Sequence, residues 1–377
     1  MVKNEVTPGA LSTSGYKETY SNSINEIFYL IETSKKILIA THENPEGDAI
    51  SSAIAIGMFL KGLDKEVYLY NKDIIPLNLK FLPWTDRFSQ RLLEEPIDLL
   101  IVVDCVDLER IGNNHEAFIN INRMINIDHH FTNKNFGHAN FVMPNASSTG
   151  EILFYLFISY AAKENGIQYS IGDELPCDIT GRSKLLSRID DDIAKCLYTS
   201  ILTDTGSFRY ASTTRQAFYM ASVLNLYNIG ASKIAEELYE TKPFEQYLLL
   251  AKSLTTLELA VNGKVASMIG TKKMVSDVIN SGCGPKNYDS SAIKGSAFFE
   301  NFVNYPRSIQ GVEIGIFFKE ISFNEFRLSF RAKSYANVAM VAEKFGGGGH
   351  KFAAGCKISG DLNEIKHDVY KYCKEVL

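Results

Sequence analysis

Residues 37–60 read ILIATHENPEGDAISSAIAIGMFL, so two elements of different periodicity follow one another within this stretch. The apolar run Ile37–Thr41 predicts a buried strand, and the small and apolar residues from Asp48 to Leu60 predict a helix. The segment between them, residues 42–47, is polar and contains Pro45 and Gly47. A buried strand, a polar turn and a helix in this order are typical of a parallel α/β sheet.

The same alternation continues along the chain. Further strands are predicted at residues 66–70, 99–103 and 124–127, and further helices at residues 148–163, 191–202 and 215–227. Continuous apolar strands separated by helices predict parallel strands that are covered on both faces. Residues 168–188, which contain two glycines and a proline, are interpreted as a surface insertion rather than a functional lid.

After residue 230 the pattern changes. A helical connection at 230–258 precedes strands at 264–269, 312–318 and 326–331, and a helix at 336–345 ends at four glycines, residues 346–349. We therefore predict an α/β protein: a parallel-sheet domain with flanking helices, then a smaller mixed-sheet α/β domain, with the active site in the cleft between them. The predicted parts are a polar tail (1–24), a catalytic domain (25–229), a helical linker (230–262) and a substrate-binding domain (263–377).

Charge and composition limit the partners of the chain. It has 377 residues, 45% of them hydrophobic, and a formal net charge of −5. No uninterrupted apolar run of 18 residues or more is present and the N-terminal residues lack the apolar core of a signal peptide, so we expect a cytoplasmic protein without a membrane partner. The negative charge argues against binding of long duplex DNA but leaves short single strands and small nucleotides as partners.

Acidic and histidine residues follow the predicted strands. His42, Glu46 and Asp48 come after the first strand, Asp104 after the strand at 99–103, and Asp128-His129-His130 after the strand at 124–127. One such Asp is more often a turn or capping residue, but several together are not explained by capping. Loops at the carboxyl ends of parallel strands converge on one crevice. Asp204, after the helix at 191–202, completes the candidates.

Several carboxylates in one pocket repel one another unless cations neutralise them. Carboxylates with some imidazole suit Mn²⁺ best here, with Mg²⁺ or Co²⁺ as other candidates. Two such ions that share a bridging carboxylate lie about 3.5–4 Å apart and can present a bound hydroxide to phosphorus. The pattern therefore predicts a two-metal site for phosphoryl hydrolysis.

These motifs resemble the DHH phosphoesterase family, named for the triplet seen here as Asp128-His129-His130. The family's first motif, His-x-x-Pro-Asp-x-Asp, matches residues 42–48, with Glu46 in place of the usual Asp. Asp104 and Asp204 match the second and fourth motifs. Gly346–His350, followed by Ala353-Ala354-Gly355, resembles the DHH-associated substrate domain.

The resemblance implies a role for each matched residue. Asp104 would bridge both metals, and Asp128 would orient an imidazole while His130 contacts the substrate phosphate. The other ligands would be His42 and Glu46 for one metal, and Asp48, His129 and Asp204 for the second. The implied binding residues for the distal phosphate are Arg331, Gly347, Gly348, Gly349 and His350.

Several functions agree with this pattern. The compact chain resembles the nanoRNase branch, which implies exonucleolytic hydrolysis of short RNA or DNA and of 3′-phosphoadenosine 5′-phosphate. Hydrolysis of cyclic di-adenylate or pApA is an alternative within the same chemistry, and a RecJ-like exonuclease is a weaker one. Family II pyrophosphatases share the first motifs but lack the glycine loop. Because Glu46 replaces the usual Asp of the first motif, a nucleotide sensor without catalytic activity remains an alternative function. The sequence does not decide whether RNA or DNA is the preferred substrate, from which end a strand is degraded, or whether the protein forms a homodimer.

Overall fold

The computed structural model describes residues 13–92, 95–112, 118, 121, 123–281, 299 and 301–377, with the backbone alone for residues 13–22 and 350. The chain divides into two compact units, Met1–Leu238 and Tyr239–Leu377.

A parallel sheet forms the centre of the first unit. Its strands are β1 (Lys36–Ala40), β2 (Glu66–Tyr70), β3 (Phe88–Ser89), β4 (Leu99–Val103), β5 (Met124–Asp128) and β6 (Ala139–Val142). They are arranged in the order β3-β2-β1-β4-β5-β6, and every neighbouring pair is parallel. The order reverses between β1 and β4, so the carboxyl ends of these two strands border the crevice where α/β sheets of this kind bind ligands.

Helices cover this sheet. They are α1 (Thr13–Glu32), α2 (Gly47–Lys61), α3 (Thr149–Asn165), α4 (Ile179–Leu185), α5 (Asp191–Asp204), α6 (Arg215–Leu224) and α7 (Ala231–Tyr239). Short 3₁₀ turns lie at Leu77–Leu79, Thr85–Arg87 and Leu108–Ile111. Helix α2 is buried on nearly all sides because it packs against β1, β2 and β4 and also against α3 and α5. Its small residues, such as Ala49, Ser52 and Ala53, permit this close packing.

The predicted strands and helices of this unit are confirmed, with shifts of a few residues at their ends. Outside residues 168–188, two strands and part of one helix were not predicted. β3 has only two residues, and β6 alternates buried and half-buried positions rather than forming an apolar run. Helix α1 extends into the segment assigned to a polar tail, because Ile24, Ile27, Phe28 and Ile31 recur at helical spacing and are buried. The first twelve residues of that predicted tail lie outside the described residues.

The segment at 168–188, interpreted as irregular, contains the short helix α4. Asp178 caps this helix by accepting a hydrogen bond from the backbone N–H of Gly181. Leu185, the last residue of the helix, is buried. Tyr219 of α6 also ties this segment down, because its hydroxyl accepts a hydrogen bond from the N–H of Leu175 at 2.6 Å. The segment is thus anchored to the unit at several points.

The second unit is built on a mixed sheet. Its strands are β7 (Glu258–Ala260), β8 (Val265–Gly270), β9 (Ile314–Ser322), β10 (Glu325–Ala332), β11 (Gly348–His350) and β12 (Ala353–Ser359). The order is β11-β12-β10-β9-β8-β7, and β8 and β9 form the parallel pair. Its helices are α8 (Phe244–Leu254), α9 (Lys272–Asn280), α10 (Asn304–Ser308), α11 (Val338–Glu343) and α12 (Leu362–Glu375).

Two apolar clusters hold this sheet. Ile316, Phe318 and Leu328 pack on one face with residues of α11 and α12. Met268 and Phe317 pack on the other face with Leu249 of α8. Helix α8 and strand β7 lie in the segment predicted as a linker, yet they belong to this sheet and its core. Across the described residues of both units, no helix combines the length and the apolar character that crossing a membrane requires.

Candidate metal centre

The predicted acidic and histidine residues of the first unit gather at the carboxyl ends of three strands. His42 follows β1, Asp104 follows β4 directly, and Asp128 is the last residue of β5, with His129 and His130 next to it. These are the central strands on both sides of the point where the strand order reverses. The topology therefore brings residues from distant parts of the sequence to one edge of the sheet.

Asp104 lies at the centre of the group. Its Oδ2 is 3.6 Å from Nε2 of His42, and its Oδ1 is 3.6 Å from Nε2 of His129. The hydroxyl of Thr149 donates a hydrogen bond to the same Oδ1 at 3.2 Å. The backbone of Asp104 has φ of 55°, in the left-handed region that costs energy for residues other than glycine and is best tolerated by Asn and Asp. The two carboxylate oxygens thus face different histidines.

Three imidazoles lie 3.6 Å from Asp104, and two of them, those of His42 and His129, are oriented by backbone carbonyls. Nδ1 of His42 lies 2.8 Å from the carbonyl oxygen of Glu43, and Nδ1 of His129 lies 3.3 Å from that of Ala146. A proton on Nδ1 leaves the Nε2 lone pair directed at the carboxylates. Metal-binding histidines are commonly fixed in this way, because the hydrogen bond at one ring nitrogen sets the tautomer and the direction of the other.

Asp48 is held by the N-terminus of α3. The backbone N–H groups of Thr149 and Gly150 donate to its carboxylate at 2.8 and 3.3 Å. The hydroxyls of Ser52 and Ser200 add donors at 2.9 and 2.5 Å. These four donors and the positive end of the α3 dipole stabilise the ionised carboxylate in a position that is 3% exposed.

Two glycines allow the helices around Asp48 to approach this closely. A Cβ atom at Gly47, the first residue of α2, would lie 2.4 Å from the side chain of Thr203. A Cβ atom at Gly150 would lie 2.2 Å from the hydroxyl of Ser200. Both contacts involve α5, which ends at Asp204. The glycines therefore determine how near α5 can bring Asp204 to the other carboxylates.

Asp128 is fully buried and fixes His130 rather than His129. Its Oδ1 accepts a hydrogen bond from Nδ1 of His130 at 2.6 Å and from the backbone N–H of His129 at 2.8 Å. The side-chain amide of Asn133 donates to its other oxygen at 2.5 Å. Asp128 thus orients one imidazole, as the resemblance implies, and its own position is set by Asn133.

The electrostatics of the cluster follow from its burial. Burial, together with the charge of Asp104, raises the pKa of Asp48 to about 6. Burial raises the pKa of Asp204 to about 8; the positive charge of His129 opposes this shift, and the negative charges of Asp48, Asp104 and Glu46 add to it. Without added cations, the neutral form is therefore favoured near neutral pH for Asp204, while Asp48 is largely ionised there but takes up a proton more readily than an ordinary carboxylate.

The pKa of His129 is also raised, which favours the charged form of this side chain rather than the neutral form. Burial disfavours the charge of His129, but the negative charges of Asp204, Asp48 and Asp104 raise its pKa to about 9. Asp104 behaves differently from the other carboxylates. Burial opposes its charge, yet the nearby imidazole of His42, together with those of His130 and His129, holds the pKa of Asp104 well below its usual range. Asp104 is thus the permanent anion of the group.

The donor set fits divalent cations. Two groups of three side chains each bring one ligand atom apiece within 4.8 Å of one another. They are Asp104, His129 and His130, and Asp48, His129 and Asp204. Oxygen donors with some imidazole suit Mn²⁺, Mg²⁺ or Co²⁺. The pattern of raised carboxylate and histidine pKa values also indicates a cluster that added positive charge would stabilise.

Glu46 differs from the other predicted ligands. It is exposed and precedes α2 without making a side-chain capping hydrogen bond. Like His42, it belongs to neither of the two groups. Its carboxylate is close enough to raise the pKa of Asp204. The extra methylene relative to Asp gives this side chain the length to reach a bound cation by a change of rotamer.

The predicted substrate residues lie in the second unit. Strand register places Ala353 of β12 opposite Arg331 of β10 and opposite His350 of β11. Gly348 and Gly349 belong to β11, and Gly347 precedes it. A Cβ atom at Gly347 would lie 2.2 Å from the carbonyl oxygen of Gly355, so the strands approach more closely here than another residue would allow. The glycine segment is therefore a short edge strand, not only a loop.

Four residues that position the cluster were not predicted. They are Thr149, Gly150, Ser200 and Asn133. A signal exists for two of them, because Ser147-Ser148-Thr149-Gly150 directly precedes a helix and a helix N-terminus can bind an anion. Ser200 carries no local signal, since its hydrogen bond to Asp48 joins distant segments. Asn133 lies five residues after Asp128, but no motif singles it out.

Models of known families match both halves of the chain. The N-terminal domain of the DHH family matches residues 36–201, and the DHHA1 domain matches residues 297–375.

Similar proteins extend over nearly the whole chain. The bifunctional oligoribonuclease and PAP phosphatase NrnA of Thermus thermophilus is 28% identical over 344 residues, which cover 90% of each chain. The protein of the same name from Bacillus subtilis is 25% identical and covers 93% of this chain and 98% of its own length. Among solved structures, an exopolyphosphatase-related protein from Bacteroides fragilis is 25% identical with a TM-score of 0.77, covering 94% of this chain and 98% of its own.

Proposed function

Because this chain belongs to the DHH family and carries a DHHA1 domain after the DHH domain, we propose that it removes nucleotides from short oligonucleotides and also hydrolyses 3′-phosphoadenosine 5′-phosphate. Family membership makes it a metal-dependent hydrolase that acts on phosphodiester bonds. The substrates are proposed from relatives whose names state oligoribonuclease and PAP phosphatase activity.

The position of Asp104 carries this proposal. One of its oxygens faces His42 and the other faces His129, each at 3.6 Å. A carboxylate with ligands on both sides is suited to bridge two cations. We assign His42, with Glu46, to one side, and Asp48, His129 and Asp204 to the other. Two bound divalent cations would lower the pKa of a shared water and neutralise charge on the phosphate.

The chain's own groups have separate tasks in this scheme. Asp128 holds His130 through its Nδ1, which directs the rest of that imidazole toward a phosphate oxygen at the metal centre. In the second unit, Arg331 contributes a planar guanidinium that can bind a phosphate at two points. The backbone N–H groups of Gly347–Gly349 and the residue His350 complete the proposed contact with the distal phosphate.

A turnover panel tests this function. The Mn²⁺-loaded protein would be assayed on dinucleotides, oligomers of two to ten nucleotides, 3′-phosphoadenosine 5′-phosphate, pApA and cyclic di-adenylate. We expect the highest kcat/KM on the shortest oligonucleotides. A preference for cyclic di-adenylate by tenfold or more would overturn the substrate assignment. Tight binding of a dinucleotide without turnover would instead identify a nucleotide sensor, the outcome that the Glu46 substitution leaves open.

The same preparation tests the remaining expectations. Replacing Mn²⁺ by Mg²⁺ or Co²⁺ in the assay would establish which ion supports turnover. Light scattering would test for the homodimer, and fractionation of cells would test cytoplasmic localisation. Binding of long duplex DNA is not expected, because a formal net charge of −5 opposes it.

A further inference from the structure

An exposed aromatic residue directly follows the two histidines of the metal centre. Phe131 follows His130 directly and is 85% exposed. A second phenylalanine of similar exposure, Phe323 at 89%, lies in the turn between β9 and β10 of the other unit. An exposed apolar side chain needs no special explanation in general. The position of Phe131, one residue from a histidine of the cluster, is what sets it apart.

The backbone of Phe131 is held in a fixed turn. The N–H of Asn133 donates to the carbonyl oxygen of His130 at 3.2 Å, which closes a turn with Phe131 at its second position. The amide of Asn133 also donates to the carbonyl oxygen of Cys105 at 3.1 Å and to Asp128 at 2.5 Å. The turn is therefore tied to the same carboxylate that orients His130. Phe131 is an exposed ring on a rigid support.

We propose that Phe131 stacks on the nucleobase next to the phosphate that is hydrolysed; this inference rests on the proposed function. His130 and Phe131 occupy the first two positions of one hydrogen-bonded turn, with Cα atoms about 3.8 Å apart, so a nucleotide whose phosphate contacts His130 lies close to this exposed residue. A base offers a flat π-face to an aromatic side chain whatever its sequence, which suits an enzyme that acts on short strands of any composition. Phe131 is then a residue that positions substrate and favours nucleotides over phosphodiesters without a base.

The test compares Phe131→Ala with Phe323→Ala as a matched control. Both changes remove an exposed ring, so neither should lower Tm appreciably. With the Mn²⁺-loaded enzyme and a dinucleotide, we expect Phe131→Ala to raise KM about tenfold while kcat changes less than threefold. Phe131→Tyr and Phe131→Trp should keep the wild-type KM, because they keep an aromatic face. Phe323→Ala should leave both constants unchanged.

A substrate without bases separates stacking from other roles. On a dinucleotide with abasic sugars, wild type and Phe131→Ala should have the same KM, since neither can stack. An equal KM on the normal dinucleotide would overturn the proposal, and so would a tenfold difference that persists on the abasic one. Failure of the wild-type enzyme to hydrolyse any dinucleotide would instead contradict the proposed function, so the two failures are distinguishable.

Discussion

The two units of the chain concentrate opposite charges on different surfaces. In the first unit, carboxylates are buried at the end of a parallel sheet, with Asp48 3% and Asp104 4% exposed. In the second unit, strand register brings cations opposite one another on a mixed sheet, with Arg327 of β10 between Lys319 of β9 and Lys357 of β12. Like charges at such short range destabilise both arrangements. Added cations would relieve the repulsion in the first arrangement, and added anions would relieve it in the second.

The two units also differ in how deeply these charged side chains are buried, and we expect the buried group to serve the chemical step and the half-buried group to serve substrate binding. The buried carboxylates have fixed donors and little solvent, which suits groups that must hold their geometry during reaction. Arg331 and Gly347–Gly349 are half-buried, which suits contact with a ligand that arrives and leaves. Mutations of the buried carboxylates should therefore lower kcat, and mutations of Arg331 and His350 should raise KM.

The largest effect is expected for Asp104→Asn. Asn keeps the shape of the side chain and tolerates the left-handed backbone, but it lacks the negative charge that both sides of the cluster share. We expect kcat to fall by roughly a hundredfold or more, with loss of bound metal measured by mass spectrometry. Asp104→Ala should be equally inactive.

Asp64→Asn is the matched control, because Asp64 has φ of 58° and lies exposed in a turn after α2. It should retain full activity. A rate for Asp104→Asn above a few per cent of wild type would contradict the bridging role.

A smaller effect of a different kind is expected in the second unit. Arg331→Ala should raise KM for a dinucleotide by about tenfold and change kcat little, because a charged hydrogen bond contributes about 1.5–3 kcal/mol. His350→Ala should follow the same pattern. Arg215, which is 80% exposed and pairs with Glu174, is the control position. If Arg331→Ala lowered kcat more than it raised KM, the division between the two units would not hold.

Ser200→Ala tests the positioning of Asp48. The change removes a hydroxyl that donates to Asp48 and accepts the N–H of Gly150 at 2.9 Å. We expect about tenfold weaker metal binding, measured by calorimetry, and recovery of most activity at high Mn²⁺ concentration. Ser308→Ala removes an exposed hydroxyl that contacts only its own helix turn and should have no effect. Unchanged metal affinity in Ser200→Ala would show that the remaining donors suffice.

The smallest effect concerns the stability of the metal-free protein. The pKa values of Asp48, Asp204 and His129 are raised in the folded state to about 6, 8 and 9. A group whose folded pKa is raised contributes stability at low pH and loses it as pH rises through the folded value. Between pH 6 and pH 9, Tm should thus fall by a few degrees, since about 1 kcal/mol corresponds to roughly 2–4 °C in a unit of this size.

Added Mn²⁺ should raise Tm most at the high end of this range, because protons no longer compete for the ligands. Scanning calorimetry with and without Mn²⁺ measures both changes. A metal-free Tm that rises between pH 6 and pH 9 would contradict the pKa directions.

The sequence predicted the features that depend on local pattern. The apolar runs ending in Ala40, Val103 and Ile127 specified parallel strands, and parallel strands place His42, Asp104 and Asp128 at one edge. Features that depend on long-range packing were missed. The hydrogen bond from Ser200 to Asp48 joins residues 152 positions apart, and no local pattern encodes it. Glu46 matched a motif position, yet its side chain is exposed.

Substitutions of the glycines at the start of α2 and α3 are expected to be harmful in natural or engineered variants. Adding a single methyl group at Gly47 or Gly150 would push α5 away from its neighbours without altering any charged or hydrogen-bonding side chain. Such a change would pass as conservative in a survey restricted to polar residues, yet it would misplace Asp204. Tolerance maps of this protein should accordingly record inactive variants at positions that never touch the reacting atoms.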